Sequence, residues 1–171
     1  MEAVVLDCAS LLAEETQIHF VFLGDGKEKP ALQQRAVELD LPNVSFLPPV
    51  PKSGMPAALA GADACIAILK PIEEYKTTYP NKVFDYMAAG RPVLLAIDGV
   101  IREVVEAAGC GLFARPGDPA ALAEAARLLA MDKHKARAMG LRGREYLEAN
   151  FSRAGMADKL TCILQEMCTR P

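Results

Sequence analysis

Short runs of β-branched and aromatic residues alternate along this chain with segments whose apolar residues recur every three or four positions. That alternation admits few folds, because a strand followed by a helix followed by a strand is how a parallel sheet is built. IHFVFLG (18–24), NVSFL (43–47), DACIAIL (63–69), RPVLLAI (91–97) and CGLFARP (110–116) read as five strands. They are near-continuously apolar, as strands covered on both faces must be. Helices are predicted over 3–14, 31–41, 55–62, about 80–89, about 100–108, 118–131, 133–149 and 153–167. Asp118 with Pro119 opens the sixth as N-cap and first helical residue, and Ser152 caps the last. The expected fold class is therefore α/β: a Rossmann-like doubly wound parallel sheet with helices on both faces. The 171 residues carry no repeat or low-complexity linker, so one domain is expected over 1–171, its C-terminal helices over about 118–167. Such a sheet begins with its central strand, yet this chain begins with a helix, so the first strand is expected to be missing.

Composition excludes several function classes. A net charge of −3 gives no basic field for nucleic acid. The longest apolar runs, such as 65–69, are far short of the ~20 residues that span a bilayer. The start lacks the basic region of a secretory leader, so a cytoplasmic location is expected. Cys8, Cys65, Cys110, Cys162 and Cys168 form neither a CxxC pair nor a metal-type spacing and read as reduced, buried thiols. With only His19 and His134 available, no Ser-His-Asp or metal-binding set can be drawn, and no metal is expected.

Ligands in doubly wound sheets bind beyond the carboxyl ends of the strands. The stretch TTYPNKVFDYMAAGRPVLL (77–95) follows the third strand and holds the most suggestive chemistry. Pro80 falls where a helix should begin, at its first position. The amides of Asn81, Lys82 and Val83 would then point outward at the positive end of the helix dipole, ready for phosphate oxygens. Lys82 adds a cation in that turn. One turn on, Asp85 offers two acceptor oxygens for a pair of vicinal hydroxyls, as acids do with ribose. Taken alone, Pro80 and Asp85 are equally ordinary helix-start residues.

Four segments in order give the pattern more weight: FVFLGDGKEKPALQQ (20–34), LPNVSFLPPVP (41–51), KVFDYMAAGRPVL (82–94) and CGLFARPGDPAALAEA (110–125), followed by REYLEANFS (144–152). The set resembles the C-terminal domain of glycosyltransferase family 4, the group 1 enzymes with the GT-B fold. The resemblance runs from residue 3 to about 165. It implies the donor-binding half of a retaining, nucleotide-sugar-dependent transferase of bacterial surface polysaccharide or glycoconjugate synthesis. The donor would be a UDP-sugar, with no other cofactor. The partner would be the protein's own N-terminal acceptor domain, absent here, and any membrane contact would come through that half.

The same resemblance assigns positions. Asp85 falls on the ribose-binding second glutamate of the family's E-x7-E motif, one methylene shorter. Pro80, Asn81 and Lys82 fall on the turn that holds the diphosphate. Phe46, Leu47 and Pro48 fall where the base is sandwiched, and Gly24 and Gly26 on a loop lining the interdomain cleft. The first glutamate of the motif is replaced by Thr77, with Glu73 and Glu74 out of register, so Thr77 and Glu74 are the candidates for the sugar contact. The catalytic residue stays unassigned. The subgroup with Pro-x-Lys-x-x-[ED]-Tyr-Met fits best. A UDP-N-acetylglucosamine 2-epimerase-like domain and a non-catalytic nucleotide-sugar-binding module remain as alternatives. The fragment alone is expected to bind donor without transferring sugar.

Overall fold

The computed structural model describes residues 3–169. Eight α-helices and five strands follow one another among these residues: α1 (Ala3–Leu11), β1 (Phe20–Leu23), α2 (Lys29–Glu38), β2 (Val44–Leu47), α3 (Met55–Ala60), β3 (Cys65–Ile68), α4 (Asn81–Ala88), β4 (Val93–Ala96), α5 (Val100–Ala108), β5 (Gly111–Phe113), α6 (Pro119–Met131), α7 (Lys133–Asn150) and α8 (Arg153–Thr169). Two 3-10 turns, Lys52–Gly54 and Glu73–Thr77, stand in the loops ahead of α3 and α4. All strand pairs are parallel, as the alternation requires.

The strands do not form one sheet. β1 pairs with β2, and β3–β4–β5 form a second piece, with no strand between β1 and β3 among the described residues. A doubly wound sheet has the spatial order 3-2-1-4-5-6. The observed order β2-β1, then β3-β4-β5, matches that pattern with its first, central strand left out. α1 and α6 bridge the two pieces. Val5, Cys8, Ala9 and Leu12 of α1 and its exit pack with Phe20 of β1, Leu94 of β4, and Leu122 and Leu129 of α6 in one buried cluster. Buried Asn43 ties the start of β2 to the same helix, donating from Nδ2 to Ala9 O at 2.9 Å. On the opposite face a second cluster joins Val83 and Met87 of α4, Ile101 and Val105 of α5, and Val93 and Leu95 of β4. β4 is buried along its whole length, which identifies it as the strand covered on both faces.

Local chemistry sets the helix limits. Asp118 accepts a hydrogen bond from Ala121 N at 3.0 Å, and Asp132 does the same for Lys135 N at 2.9 Å at the start of α7. Ser152 Oγ accepts from Gly155 N at 3.2 Å ahead of α8. α4 ends in a left-handed Gly90, with Gly90 N bonded to Met87 O and Arg91 N to Tyr86 O. That double closure satisfies carbonyls a helix end would otherwise leave open. The chain then turns straight into β4.

Cys8, Cys65 and Cys110 are buried thiols, as composition suggests, whereas Cys162 and Cys168 are exposed on α8. The second pair corrects the expectation of burial. α8 carries its apolar side chains Met156, Leu160, Ile163, Leu164 and Met167 in the open, so its cysteines have no core to enter.

Candidate functional site

Within each sheet piece the strands run parallel, so their carboxyl ends lie at a common edge, where doubly wound sheets bind ligands in a crevice. Most of the candidate residues drawn from the sequence fall on loops or in the first turns of α4 at this end; Phe46 and Leu47 lie in β2 itself. β1 exits through Gly24, whose φ of 127° demands glycine, while Gly26 has ordinary φ and open space around it. Lys29, at the start of α2, draws the β1 and β2 exits together, donating from Nζ to Gly24 O at 2.6 Å and to Leu47 O at 2.9 Å.

α4 is the centre of the site. Pro80 is its N-cap, with φ −67° and ψ 120°, and Asn81 its first helical residue. This corrects the sequence reading by one position: the extended ψ of Pro80 keeps it outside the helix. Val83 N bonds to Pro80 O at 3.0 Å, so its amide is not available to a ligand. The amides of Asn81 and Lys82, at the first two helical positions, lie along the axis toward the crevice. No acidic residue stands in the first turn to neutralise the positive helix end. Burial of Val83 and Met87 fixes the helix rotation and leaves Asn81 and Asp85, one turn apart, exposed together on the outer side. Lys82 turns back instead, and its Nζ donates to Ile68 O, the last residue of β3, at 3.0 Å. Tyr86, one turn further along the same flank, reaches Ile66 O at 3.4 Å. Burial, with Cys65 and Asp85 nearby, pushes the Tyr86 phenol up to about 12, so it stays a hydrogen-bond donor at neutral pH.

The base-side candidates divide. Phe46 stacks on Phe22 with centroids 4.9 Å apart and lines a groove of about 380 Å³ between α2 and β2, so its ring faces the sheet flank and not the strand ends. Leu47 and Pro48 are exposed at the β2 exit. Thr77 and Glu74 lie in the 3-10 turn before α4, where Thr77 Oγ1 donates to Glu74 O at 3.2 Å. Neither lines the cavity at the ends of β3, β4 and β5, although their turn neighbours Glu73, Tyr75 and Lys76 do.

A second cavity of about 240 Å³ opens at the carboxyl ends of β3, β4 and β5, lined mostly by the segments that follow β3 and β4, where a doubly wound sheet places its ligands. Lys70, Tyr75, Lys76, Asp98 and Arg115 line it, adjoining the α4 start without including Asn81 or Asp85. It forms because the turn at 73–77 lies directly against Gly99. That glycine has φ 93°, and a Cβ there would run into the Lys76 carbonyl oxygen. The signal was the Asp98-Gly99 pair between a strand and a helix, a known turn chemistry. Arg102 stacks over Phe113 at 3.9 Å and holds Asp98 and Glu106, which keeps the far wall in place. Among the described residues no group of three His, Cys, Asp or Glu side chains converges as a metal would require.

The sequence model of the family described as "Glycosyl transferases group 1" matches residues 3–132. The chain belongs to the group 1 glycosyltransferases. It is 32% identical over 139 residues to a D-inositol 3-phosphate glycosyltransferase of Nocardia farcinica, covering 80% of this chain but 30% of that relative. Among solved structures, Anabaena HepE in complex with UDP superposes with a TM-score of 0.82 at 20% identity, covering 96% of this chain and 45% of HepE. HepE has also been solved with UDP-glucose. Staphylococcus aureus TarM, crystallised with UDP among other ligands, superposes at 0.78 with 15% identity over 93% of this chain and 31% of its own. The glycosyltransferase chain thus spans less than half the length of these relatives and corresponds to one Rossmann-like half of the GT-B fold. No helix among its described residues is long and apolar enough to cross a membrane.

Proposed function

We propose that this domain holds the nucleotide-diphosphate-sugar donor, a UDP-sugar, of a retaining glycosyltransferase in bacterial surface polysaccharide or glycoconjugate synthesis, acting at the cytoplasmic side without a metal. One observation carries the reading. The α4 start presents the Asn81 and Lys82 positions, with no carboxylate in its first turn, to the crevice at the strand ends, and Asp85 stands open one turn behind. Diphosphate oxygens belong at such a helix end and ribose hydroxyls at such a carboxylate. The UDP and UDP-glucose complexes of HepE support the donor class.

In this scheme the departing UDP gathers negative charge as its bond to the sugar weakens. The oriented amides of α4 stabilise that charge without reorganising. Thr77 or Glu74 meets the sugar from the adjoining turn. The acceptor is positioned by a second domain, so this half alone binds donor and does not turn over, having lost the proximity contribution. The exposed apolar side chains of α8, from Met156 to Met167, offer that domain a surface to cover.

Titration calorimetry tests the reading. Asp85→Ala should weaken UDP binding by about 1.5 to 3 kcal/mol, the range for a hydrogen bond to a charged group, and Asp85→Glu should recover most of it. An alanine variant that binds UDP as the parent does would place the ribose elsewhere.

A further inference from the structure

The cavity of about 240 Å³ at the ends of β3, β4 and β5 has a charge balance of its own. Five charged side chains line it: Lys70, Lys76 and Arg115 against Glu73 and Asp98. Both carboxylates already have cations. Glu73 Oε1 accepts from Lys76 Nζ at 2.7 Å, and Asp98 Oδ1 from Arg102 Nη1 at 3.5 Å. The Lys70 ammonium and the Arg115 guanidinium have no hydrogen-bond or ion-pair partner among the described residues, which leaves the lining with two uncompensated positive charges.

Strand order explains why these two meet. β3 and β5 flank β4, and neighbouring strands lie about 4.8 Å apart, so the exits of β3 and β5 are about 10 Å from each other. Arg115 follows directly on Ala114, whose amide still bonds to Leu95 O of β4 at 2.8 Å. Lys70 stands two residues beyond β3, where Ile72 N bonds back to Lys70 O at 2.8 Å and turns the chain at Pro71. From there both long side chains border the same space over the end of β4. Two like charges facing one space repel each other, and an anion between them removes that cost. The rest of the wall is apolar, formed by Leu69, Pro71, Ile72, Ile97 and Pro116 with the half-buried Tyr75.

We propose that this cavity binds the phosphate monoester of a small alcohol, with its dianion between Lys70 and Arg115 and its carbon chain against the apolar wall. A dianion matches two free cations where a carboxylate would satisfy one, and its three terminal oxygens accept from both at once. The lining takes in Tyr75 and Lys76 but not Thr77, Asn81, Lys82 or Asp85. The ester and a nucleotide at α4 therefore use separate residues and bind together. That simultaneous binding rests on the donor-site reading above; the ester site itself does not.

The test is a titration of isotope-labelled protein with glycerol phosphate at about pH 7.5, in the presence of saturating UDP. The largest amide shifts should fall on Lys70, Tyr75, Lys76, Asp98 and Arg115, with none from glycerol and several-fold weaker binding of inorganic phosphate. Lys70→Ala and Arg115→Ala should each weaken the ester about tenfold or more and leave UDP affinity unchanged, whereas Lys70→Arg should retain it. Both side chains are exposed, so the variants should keep the parent's dispersed spectrum. Lowering the pH to about 5 protonates the ester, whose second pKa is about 6, and should weaken binding several-fold. Shifts that fall on Asn81 and Lys82 and vanish as UDP is added put the ester in the nucleotide's place and overturn the proposal. So does binding that either alanine variant leaves intact. Inorganic phosphate binding as tightly as the ester refutes the part given to the apolar wall. Shifts at Lys70 and Arg115 with no UDP bound uphold the cavity site and count against the donor reading instead.

Discussion

The placement of Asn81, Lys82 and Asp85 in the first turns of a helix is legible in the sequence, because a proline, a helix start and an acid one turn later form a local pattern. What each side chain does was less so. Lys82 faces a strand edge 14 residues back, and only the fold brings Ile68 beside it. Gly99 is another residue whose role is tertiary. Gly99→Ala would both strain a φ of 93° and drive a Cβ into the Lys76 carbonyl, so the turn at 73–77 must move. A loss of about 2 to 3 kcal/mol is expected by urea unfolding. The thiols give a third test. Burial pushes Cys8 from 9.0 up to about 12 and Cys65 and Cys110 to about 11, against weaker opposing effects such as Arg127 beside Cys8. At pH 8, iodoacetamide should modify Cys162 and Cys168 in minutes and the other three only on unfolding, read by mass spectrometry. The sign for stability follows. The folded thiols resist ionisation that the unfolded chain allows, so their contribution is complete below pH 9 and disappears as pH rises from 9 through 11 to 12.

Helices and strands were read nearly whole, because five apolar runs and the helical periodicity between them agree with the parallel architecture. Of the caps that rest on one side chain, Asp118 and Ser152 are legible in the sequence, and Asp132 at α7 is added by the structure. Asp118 at α6 is such a cap, and Asp118→Ala should cost about 1 kcal/mol in chemical denaturation, with unchanged far-ultraviolet circular dichroism. Boundaries that depend on backbone torsion were not. Pro80 was placed one residue too far in, since a proline suits both the cap and the first turn and its ψ of 120° decides between them. Phe46 is a candidate for the base through the family resemblance. Alternation of side chains along β2 instead sends its ring onto Phe22, on the sheet flank. The break between β1 and β3 follows from strand order, which was anticipated as an absent first strand, whereas the capping of its edge by α4 was not.

On the scale of the whole molecule, the chain corresponds to one Rossmann-like half of the GT-B fold. The crevice at the strand ends and the exposed apolar side chains of α8 are the surfaces that the proposed second domain would meet. The account stands on where a nucleotide diphosphate sits. Titrating UDP into isotope-labelled protein and following amide resonances addresses this directly. The largest shifts should fall on Asn81, Lys82 and Asp85, with smaller ones at Gly24 and Leu47. Shifts confined to the groove between α2 and β2, or none at saturating UDP, would contradict it.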